Sequence, residues 1–287
     1  MKNKFAMTTL IGLVGGVACV VIAIAEAGNL KLFVNIPSLL IIVGGTVFAL
    51  ILSYPASSLK TLGSVIKQAF TNNTFDLSDD INTIVELSEI IRREGVLALE
   101  KYIDDNEGDS FLTKGLNMLL DGINRDELEE AMMNEIHLAS RRHQVGYSMI
   151  NMIATLAPAL GLVGTYVGLI PMLVDLMNPE TLGPLMAVEL VSSFYGGFLA
   201  YVIFAPMSKK LMVKNAQEKN RNEMILEGIL SIQEGKNPRL IRDNLTAYLT
   251  RDEIRKLPPY KAGRSSEPSD AGVIDYKTKR KSMRRGA

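Results

Sequence analysis

The chain has 287 residues, of which 47% are apolar and 22% are charged, and it carries 31 basic and 31 acidic side chains. Its single cysteine, Cys19, cannot form an internal disulfide, which excludes a disulfide-stapled secreted protein. The two histidines, His137 and His143, have no cysteine partner, so a zinc site has few ligands to draw on.

Charge divides the chain into blocks. Residues 54–145 carry nine basic and seventeen acidic side chains, a balance of −8. Residues 207–287 carry nineteen basic and ten acidic side chains, a balance of +9. Residues 144–174, in contrast, contain no charged side chain. A charge-free run of this length is too long for an ordinary core helix and predicts a membrane protein.

Two apolar segments predict a transmembrane hairpin over residues 1–54. The first span covers about residues 5–25, a run of twenty-one uncharged residues, and about 20 apolar residues are enough to cross the bilayer core. The second span covers about residues 36–54 and has a proline in its first turn, where a helix tolerates it. A cleaved signal peptide is the alternative interpretation of the first run. That run is longer than a usual signal, however, and a second span follows almost at once.

A charged helical domain is predicted over residues 55–145. Apolar residues recur there at helical spacing, in segments separated by turn signals at residues 104–108 and 121–122. No sustained alternation of apolar and polar residues argues for strands. We therefore expect an all-α integral membrane protein with four transmembrane helices and a large helical cytoplasmic domain.

The second transmembrane hairpin is predicted over residues 146–206, with spans at about residues 149–173 and 185–204. Two proline-containing pairs indicate the turn between these spans: Asn178-Pro179 and Gly183-Pro184. Cytoplasmic C-terminal helices are predicted over residues 207–257, with an interruption at Gly235-Lys236-Asn237-Pro238. Residues 258–287 are rich in Pro, Ser, Gly, Lys and Arg, and they predict a disordered basic tail.

Basic residues orient the spans, because they collect on the cytoplasmic side of a membrane protein. One side of the predicted topology carries only Lys31. The other side carries Lys2, Lys4, Lys60, Lys67, Arg141, Arg142 and the cluster that begins at Lys209. Both termini and the large domain are therefore expected in the cytoplasm.

The third span has glycines along one side. Gly161, Gly164 and Gly168 recur every three or four residues, a spacing that favours close packing of helices in a membrane.

Three hydroxyls and one acid within the third and fourth spans are candidates for chemistry. Thr165, Ser192 and Ser193 either bond their own backbone and neighbouring helices, as membrane Ser and Thr commonly do, or line a polar pathway. Glu189 is the only ionisable residue well inside a span, where a carboxylate is costly. It either reaches the external interface or lines a water-filled mouth.

Two prolines and two charged residues complete the candidates. Pro158 and Pro206 flank the third and fourth spans on the cytoplasmic side; they are expected to mark helix ends, with a kink or hinge as the alternative. Arg92 and Glu100 are eight residues apart and would share one half of a helix surface if that helix were continuous. By themselves they indicate only a solvated face.

No catalytic constellation is present in the sequence. It contains no glycine-rich loop ending in Lys-Ser/Thr, no nucleophile elbow and no HExxH. We expect neither enzymatic activity nor a bound metal or cofactor, and no nucleic-acid partner.

Four segments, in order, resemble one known family. They are RREGVLALE in the large loop, APALGLVGTYVGL in span three, VSSFYGGFLAYVIFAP in span four and ILSIQEGKNPRLI near the end. Together with the four-span plan, they are similar to the flagellar stator branch (MotA) of the MotA/TolQ/ExbB proton-channel group. The resemblance covers about residues 1–255.

The resemblance implies an assembly in the bacterial inner membrane. Similar proteins form a ring of five copies around two copies of a MotB-like single-span partner, whose membrane helix carries a proton-accepting aspartate. The large cytoplasmic loop of such proteins engages the rotor protein FliG. Membrane lipid would surround the ring.

The resemblance also assigns roles to residues. Thr165 matches a pathway threonine, and Ser192 and Ser193 fall where sodium-type members have two threonines. Pro158 and Pro206 match prolines that couple ion flow to movement. Further matches are the rotor-engaging pair and the packing positions of span four: Arg92, Glu100, Tyr195 and Gly196.

Two departures from the family pattern leave questions open. Ser192-Ser193 in place of two threonines leaves the ion undecided; we expect H⁺, with Na⁺ as the alternative. Glu189 stands where a small apolar residue is expected. An ExbB/TolQ-like energiser of outer-membrane processes and a non-conducting membrane scaffold are the alternative functions.

Overall fold

A computed structural model describes residues 4–5, 7–26, 28, 33–72, 75–105, 110–174 and 179–259. This part of the chain is almost entirely helical, which confirms the all-α prediction. Its one β pairing is a two-residue antiparallel contact between Lys4–Phe5 and Thr71–Asn72. Most of the predicted basic tail, from residue 260 onward, lies outside the described residues.

Thirteen α-helices occur in the described residues. In chain order they are α1 Met7–Glu26, α2 Ile36–Leu39, α3 Gly45–Ser53, α4 Ala56–Leu59, α5 Leu62–Ala69, α6 Leu77–Glu94, α7 Ala98–Asp105, α8 Ser110–Leu120, α9 Arg125–Val174, α10 Pro179–Phe198, α11 Ala205–Gln233, α12 Pro238–Leu245 and α13 Arg251–Lys256. Two π-helical segments connect α2 to α3 and α10 to α11: Leu40–Gly44 and Leu199–Phe204.

Four helical stretches in the described part are long and apolar enough to cross a membrane. They lie within Met7–Glu26, Ile36–Ser53, Arg125–Val174 and Leu185–Gln233. Each overlaps one of the spans predicted from the sequence. Whether all four cross a membrane stays a prediction.

Helices α9 and α10 correct two predictions about the second hairpin. Helix α9 runs without interruption through Pro158, so the expectation that this proline marks a helix end is wrong. The charged residues before the apolar segment are good helix formers, and the helix continues from the soluble domain through them. The predicted turn is also shorter than expected, because α10 already begins at Pro179 and includes Gly183-Pro184. Proline is favoured in a first helical turn.

Pro206 lies at the junction between the second π segment and α11. It occupies the first turn of α11, directly after Leu199–Phe204. A proline has no N–H to donate and clashes with the preceding turn, and a wider π turn on its N-terminal side accommodates both effects. Of the two interpretations given for Pro206, a helix end or a kink, the structure supports the kink: the helical path is locally irregular but continues into α11.

The core of the soluble domain is formed where α6, α8 and α12 pack against the extensions of α9 and α11. Its fully buried side chains are aliphatic and include Ile84, Leu116, Met132 and Ile225. A glycine in α11, Gly228, lets Ile84 approach, since a Cβ there would lie 2.8 Å from Ile84 Cδ1. The long apolar stretches of α9 and α11 thus continue directly into this core.

One ion pair links α6 to α11 near the start of that core. The guanidinium of Arg221 donates to both carboxylate oxygens of Asp80, over 2.5 and 2.7 Å, and lies 5.1 Å from the centre of the Phe75 ring. The Arg221 side chain is 12% exposed and that of Asp80 is 19% exposed. Bidentate, shielded pairs of this kind hold a fixed geometry.

The C-terminal helices are interrupted where the sequence predicts. Helix α11 ends at Gln233, and Gly235 adopts a positive φ of 69° that favours glycine. The side chain of Asn237 then caps α12 by accepting from the Arg239 N–H. A separate unit begins at Thr250; its helix α13 starts with a capping box between Thr250 and Glu253.

Candidate functional site

The candidate site is built on a close crossing of α9 and α10. Gly161 and Gly196 meet there without any side chain between the helices. A Cβ on Gly196 would lie 2.6 Å from the carbonyl oxygen of Ala157 and 3.2 Å from Gly161 Cα. Pro158 lies at the same crossing, its Cα 3.1 Å from that position. Two of the predicted packing glycines and one predicted coupling proline therefore come together.

Gly164 gives space to a serine of the opposite helix. A Cβ on Gly164 would lie 2.9 Å from Ser192 Oγ. Gly168, one turn further along α9, is also buried. The glycine side of α9 therefore faces α10, as its spacing predicts.

Ser192 is hydrogen-bonded inside the helix bundle. Its side chain is only 1% exposed, and its Oγ lies 2.5 Å from Ser38 Oγ in α2. The Ser38 hydroxyl also lies 2.8 Å from Asn35 Oδ1, the cap of α2. This chain of hydroxyl and amide groups fixes α2 against α10 and α9.

Tyr195 is a second tie between the same helices. Its hydroxyl donates to the Phe33 carbonyl oxygen, and it accepts from the Asn35 N–H over 3.4 Å. The neighbouring Phe194 ring meets the Phe33 ring edge-on, with centroids 5.7 Å apart. Tyr195, predicted only as a packing residue, thus acts through a hydrogen bond.

Ser193 points elsewhere. It is exposed and lies on a stripe of α10 whose other members are the exposed apolar residues Met186 and Leu190. These three positions are separated by four and three residues, so they share one face of the helix. The structure therefore separates the two serines: Ser192 faces the bundle, and Ser193 faces outward.

Thr165 is half-buried, and its hydroxyl donates to the carbonyl oxygen of Leu162 in its own helix, over 2.6 Å. Its neighbours Leu162 and Tyr166 are 49% and 56% exposed. Thr165 therefore lies beside an outward apolar surface of α9. The local bond to a carbonyl is the arrangement that membrane threonines commonly adopt.

Glu189 lies one turn before Ser192 on α10. Its side chain is half-buried, and its Oε1 is inaccessible to solvent and has no hydrogen-bond partner in the described part of the chain. A shielded carboxylate oxygen without a donor is costly, so a proton, an ion or a further polar group is needed there. Whether Glu189 reaches the external interface or lines a polar mouth stays a prediction.

The charged pair of the soluble domain lies at a corner, and not on one helix. Arg92 is in the last turn of α6, Gly95 turns the chain with a positive φ of 85°, and Glu100 is in the first turn of α7. The continuous helix considered for this pair is therefore wrong, because glycine ends α6. Both side chains are exposed, and Leu97 between them is 73% exposed. The corner therefore exposes charged side chains of both signs, Arg92 and Glu100 among them, beside the apolar side chain of Leu97.

Sequence reasoning missed Asn35 and Ser38 as members of the site. Their only signal was the helix-start pattern Asn35-Ile36-Pro37-Ser38, which explains a cap and gives no hint of a partner in α10. The contact that decides their role joins residues 154 positions apart.

Comparison with known proteins accords with this architecture. The model of the MotA/TolQ/ExbB proton channel family matches residues 104–224. Chemotaxis protein PomA of Vibrio alginolyticus is 35% identical over 243 residues, which are 85% of this chain and 95% of that protein. The chain belongs to the MotA/TolQ/ExbB proton channel family. Motility protein A of Cereibacter sphaeroides is 36% identical over 247 residues, which are 86% of this chain and 96% of that protein.

Solved structures of this family have the same fold. The flagellar MotAB stator complex from Bacillus subtilis contains a chain that superposes with a TM-score of 0.81 at 31% identity; the match covers 88% of this chain and 100% of that one. The C. jejuni MotAB structure gives a TM-score of 0.78 at 29% identity, over 86% and 96% of the two chains. The resemblance noted in the sequence is thereby confirmed, and the family is one of ion channels.

Proposed function

We propose that this chain is the MotA-type subunit of a flagellar stator, which converts an ion-motive force into torque. The observation that carries the proposal is the match to MotAB complexes and motility proteins over more than four fifths of the chain. That match includes the large soluble domain as well as the membrane helices. A match confined to the membrane helices would not distinguish a stator from another channel of the family.

The proposed topology has four membrane spans, with both termini and the large domain in the cytoplasm of a cell bounded by an inner membrane. Its support is the pairing of four apolar helices with a strong excess of basic residues on one side. Helices α9 and α11 then carry movement between membrane and cytoplasm, because each runs from the membrane region into the soluble core without a loop.

The proposed partner is a MotB-like protein with one membrane helix and a membrane aspartate, surrounded by a ring of five copies of this chain. The exposed apolar surfaces of α9 and α10 offer a place for neighbouring helices. Ser193 lies on this surface, where a neighbouring helix would offer its hydroxyl a hydrogen-bond partner across the interface.

The proposed ion path runs along this surface, with Glu189 at the external mouth, Ser193 in the middle and Thr165 beside it. An ion that neutralises the partner's aspartate changes which packing of the five chains against the partner helices is preferred. One elementary charge moving through 100 mV supplies about 2.3 kcal/mol for that shift. The Gly161–Gly196 crossing, with Pro158 beside it, is the joint through which helix α9 would respond.

We propose protons as the transported ion. A dehydrated metal cation needs several oxygen ligands converging on one point. The candidate hydroxyls do not converge: Ser192 is bonded to Ser38, Ser193 faces outward and Thr165 bonds its own helix. A proton needs only one acceptor, which the partner's aspartate supplies. The competing outcome, Na⁺ transport, would show as swimming speed that depends strongly on external sodium at fixed pH.

The corner of Arg92, Leu97 and Glu100 is the proposed contact with the rotor protein FliG. It is exposed, carries both charge signs and projects from the soluble domain between α6 and α7. Charged, partly apolar corners of this kind suit repeated, short-lived contacts in which electrostatics sets the register.

Co-purification tests the proposal. The tagged chain should bring down a single-span protein with a membrane aspartate and a peptidoglycan-binding domain. Recovery with an ExbD-like or TolR-like protein would favour the energiser of outer-membrane processes and overturn the stator assignment. Recovery of the chain alone would favour a scaffold.

A further inference from the structure

A cavity of about 440 Å³ opens between the start of α1 and the junction of span four with α11. Its walls are mainly apolar and include Leu13, Val202, Ile203 and Met207. Its polar groups are Thr8, Thr9 and Lys210, which lie towards the cytoplasmic ends of these helices in the proposed topology. The cavity is thus a pocket with apolar walls and a basic, hydroxyl-bearing end, at the depth of the inner leaflet.

Lys210 is unusual for a lysine at a membrane boundary, because it does not extend freely into water. Its Nζ donates to Thr9 Oγ1, and burial lowers the pKa of its ammonium group. The next lysine on this face, Lys214, donates to the carbonyl oxygens of Gln68 and Thr71, and its pKa is also lowered, first by burial and then by the neighbouring charge of Lys210. Two partly shielded positive charges therefore lie close together.

The described part of the chain places no carboxylate in the lining of this cavity. In the sequence, no acidic residue occurs before Glu26, between Glu26 and Asp76, or between Glu189 and Glu218. Helix α9 has none between Glu135 and its end at Val174. Among the described residues, the lining of the cavity therefore offers Lys210 no counter-charge, and the acid that acts on the neighbouring Lys214 is Glu218, further along α11.

We propose that this cavity binds one anionic phospholipid of the inner leaflet. The phosphate accepts hydrogen bonds from Lys210, Thr8 and Thr9, and an acyl chain lies along Leu13, Val202 and Ile203. The cytoplasmic leaflet is rich in anionic lipid, which attracts basic groups near the membrane surface. A zwitterionic lipid has its own positive charge and satisfies Lys210 less well.

This site would place a lipid beside the junction between the fourth span and α11. Pro206 lines the same cavity, directly after the π segment Leu199–Phe204. A bound lipid would therefore stabilise the packing of α1 against the start of α11, where the chain passes from the membrane to the soluble domain. The inference rests on the proposed membrane topology and is independent of ion conduction.

The test uses the purified complex of this chain with its co-purifying partner, in nanodiscs of equal parts dioleoylphosphatidylglycerol and dioleoylphosphatidylcholine. Native mass spectrometry after release counts the lipids retained per chain. We expect retention of phosphatidylglycerol over phosphatidylcholine. Lys210→Gln should lower that retention about fivefold, the effect of one lysine at an anionic surface. Lys209→Gln, an exposed matched control one residue away, should leave it unchanged.

A second variant keeps the charge and fills the space. Gly12 lines the cavity, and a Cβ there meets no atom within 4 Å, so Gly12→Phe should fold and displace the lipid. Equal retention of the two lipids, equal effects of the two lysine variants, or full retention in Gly12→Phe would each overturn the proposal. A complex that holds its partner but no phosphatidylglycerol would reject the lipid site and leave the stator assignment standing.

Discussion

The crossing of α9 and α10 allows a sharp prediction about Gly196→Ala. The new methyl carbon would lie 2.6 Å from the Ala157 carbonyl oxygen, 0.8 Å short of the 3.4 Å at which ordinary contact begins. The atoms nearest to it belong to the backbone around Ala157, Pro158 and Gly161, so no side chain can rotate away. Overpacking of this kind costs about 1–3 kcal/mol. Helix propensity offsets about 1 kcal/mol of that cost, because alanine replaces glycine in a helix.

The net expectation is a loss of about 1 kcal/mol, which corresponds to a fall of about 3 °C in the midpoint of thermal unfolding. Fluorescence-detected size-exclusion chromatography of the heated complex measures that midpoint. The matched control is Gly15→Ala in α1, where a Cβ meets nothing within 4 Å. Helix propensity alone should act there, so the control should be unchanged or slightly stabilised. If Gly196→Ala unfolds at the same temperature as the control, the close crossing is not as tight as the structure indicates.

Three further sets of changes follow from the site and the core. Ser192→Ala removes the bond to α2 and should cost about 1 kcal/mol of complex stability, whereas Ser193→Ala should leave thermal stability unchanged and lower swimming speed and proton uptake. Asp80→Asn should destabilise the soluble domain by about 3 kcal/mol, because it removes the carboxylate that pairs with the shielded guanidinium of Arg221. The double change with Arg221→Met should recover most of that loss in the same unfolding assay. Arg92→Glu should reduce swimming in soft agar while the complex assembles in normal amounts.

Each of these changes has an outcome that contradicts it. Equal effects of the two serine variants on stability would mean that the separation of Ser192 from Ser193 is wrong. Failure of the double change to recover stability would show that the ion pair is not what Asp80→Asn disrupts. For the rotor corner, the control is Arg239→Glu, an exposed arginine of α12. If both charge reversals reduce swimming equally, a general charge effect explains the result.

The sequence predicts well where the long apolar helices lie, because hydropathy and length carry that signal directly. It also predicts the glycine side of α9, because Gly161, Gly164 and Gly168 repeat at the period of a helix. Hydropathy does not mark where a helix ends, however. Helix α9 passes through Pro158 and continues into the soluble core, because residues outside the apolar run also favour helix.

Which of Ser192 and Ser193 faces the bundle and which faces outward could not be predicted from the sequence. Adjacent residues on a helix point about 100° apart, but only the position of α2 decides which of them is buried. The partner of Ser192 is Ser38, 154 residues earlier. The corner at Gly95 could not be predicted either, because glycine is tolerated within a helical pattern. Its positive φ of 85° in the structure shows that α6 ends there.

The most direct test of the central proposal is swimming by cells in which this chain and its cognate partner replace the resident stator proteins. We expect swimming to be restored, to stop when a proton ionophore is added and to persist when external sodium is removed. Thr165→Ala should reduce swimming speed without reducing the amount of complex in the membrane. A complex that assembles fully in the membrane and produces no rotation would contradict the assignment of this chain as a torque-generating stator subunit.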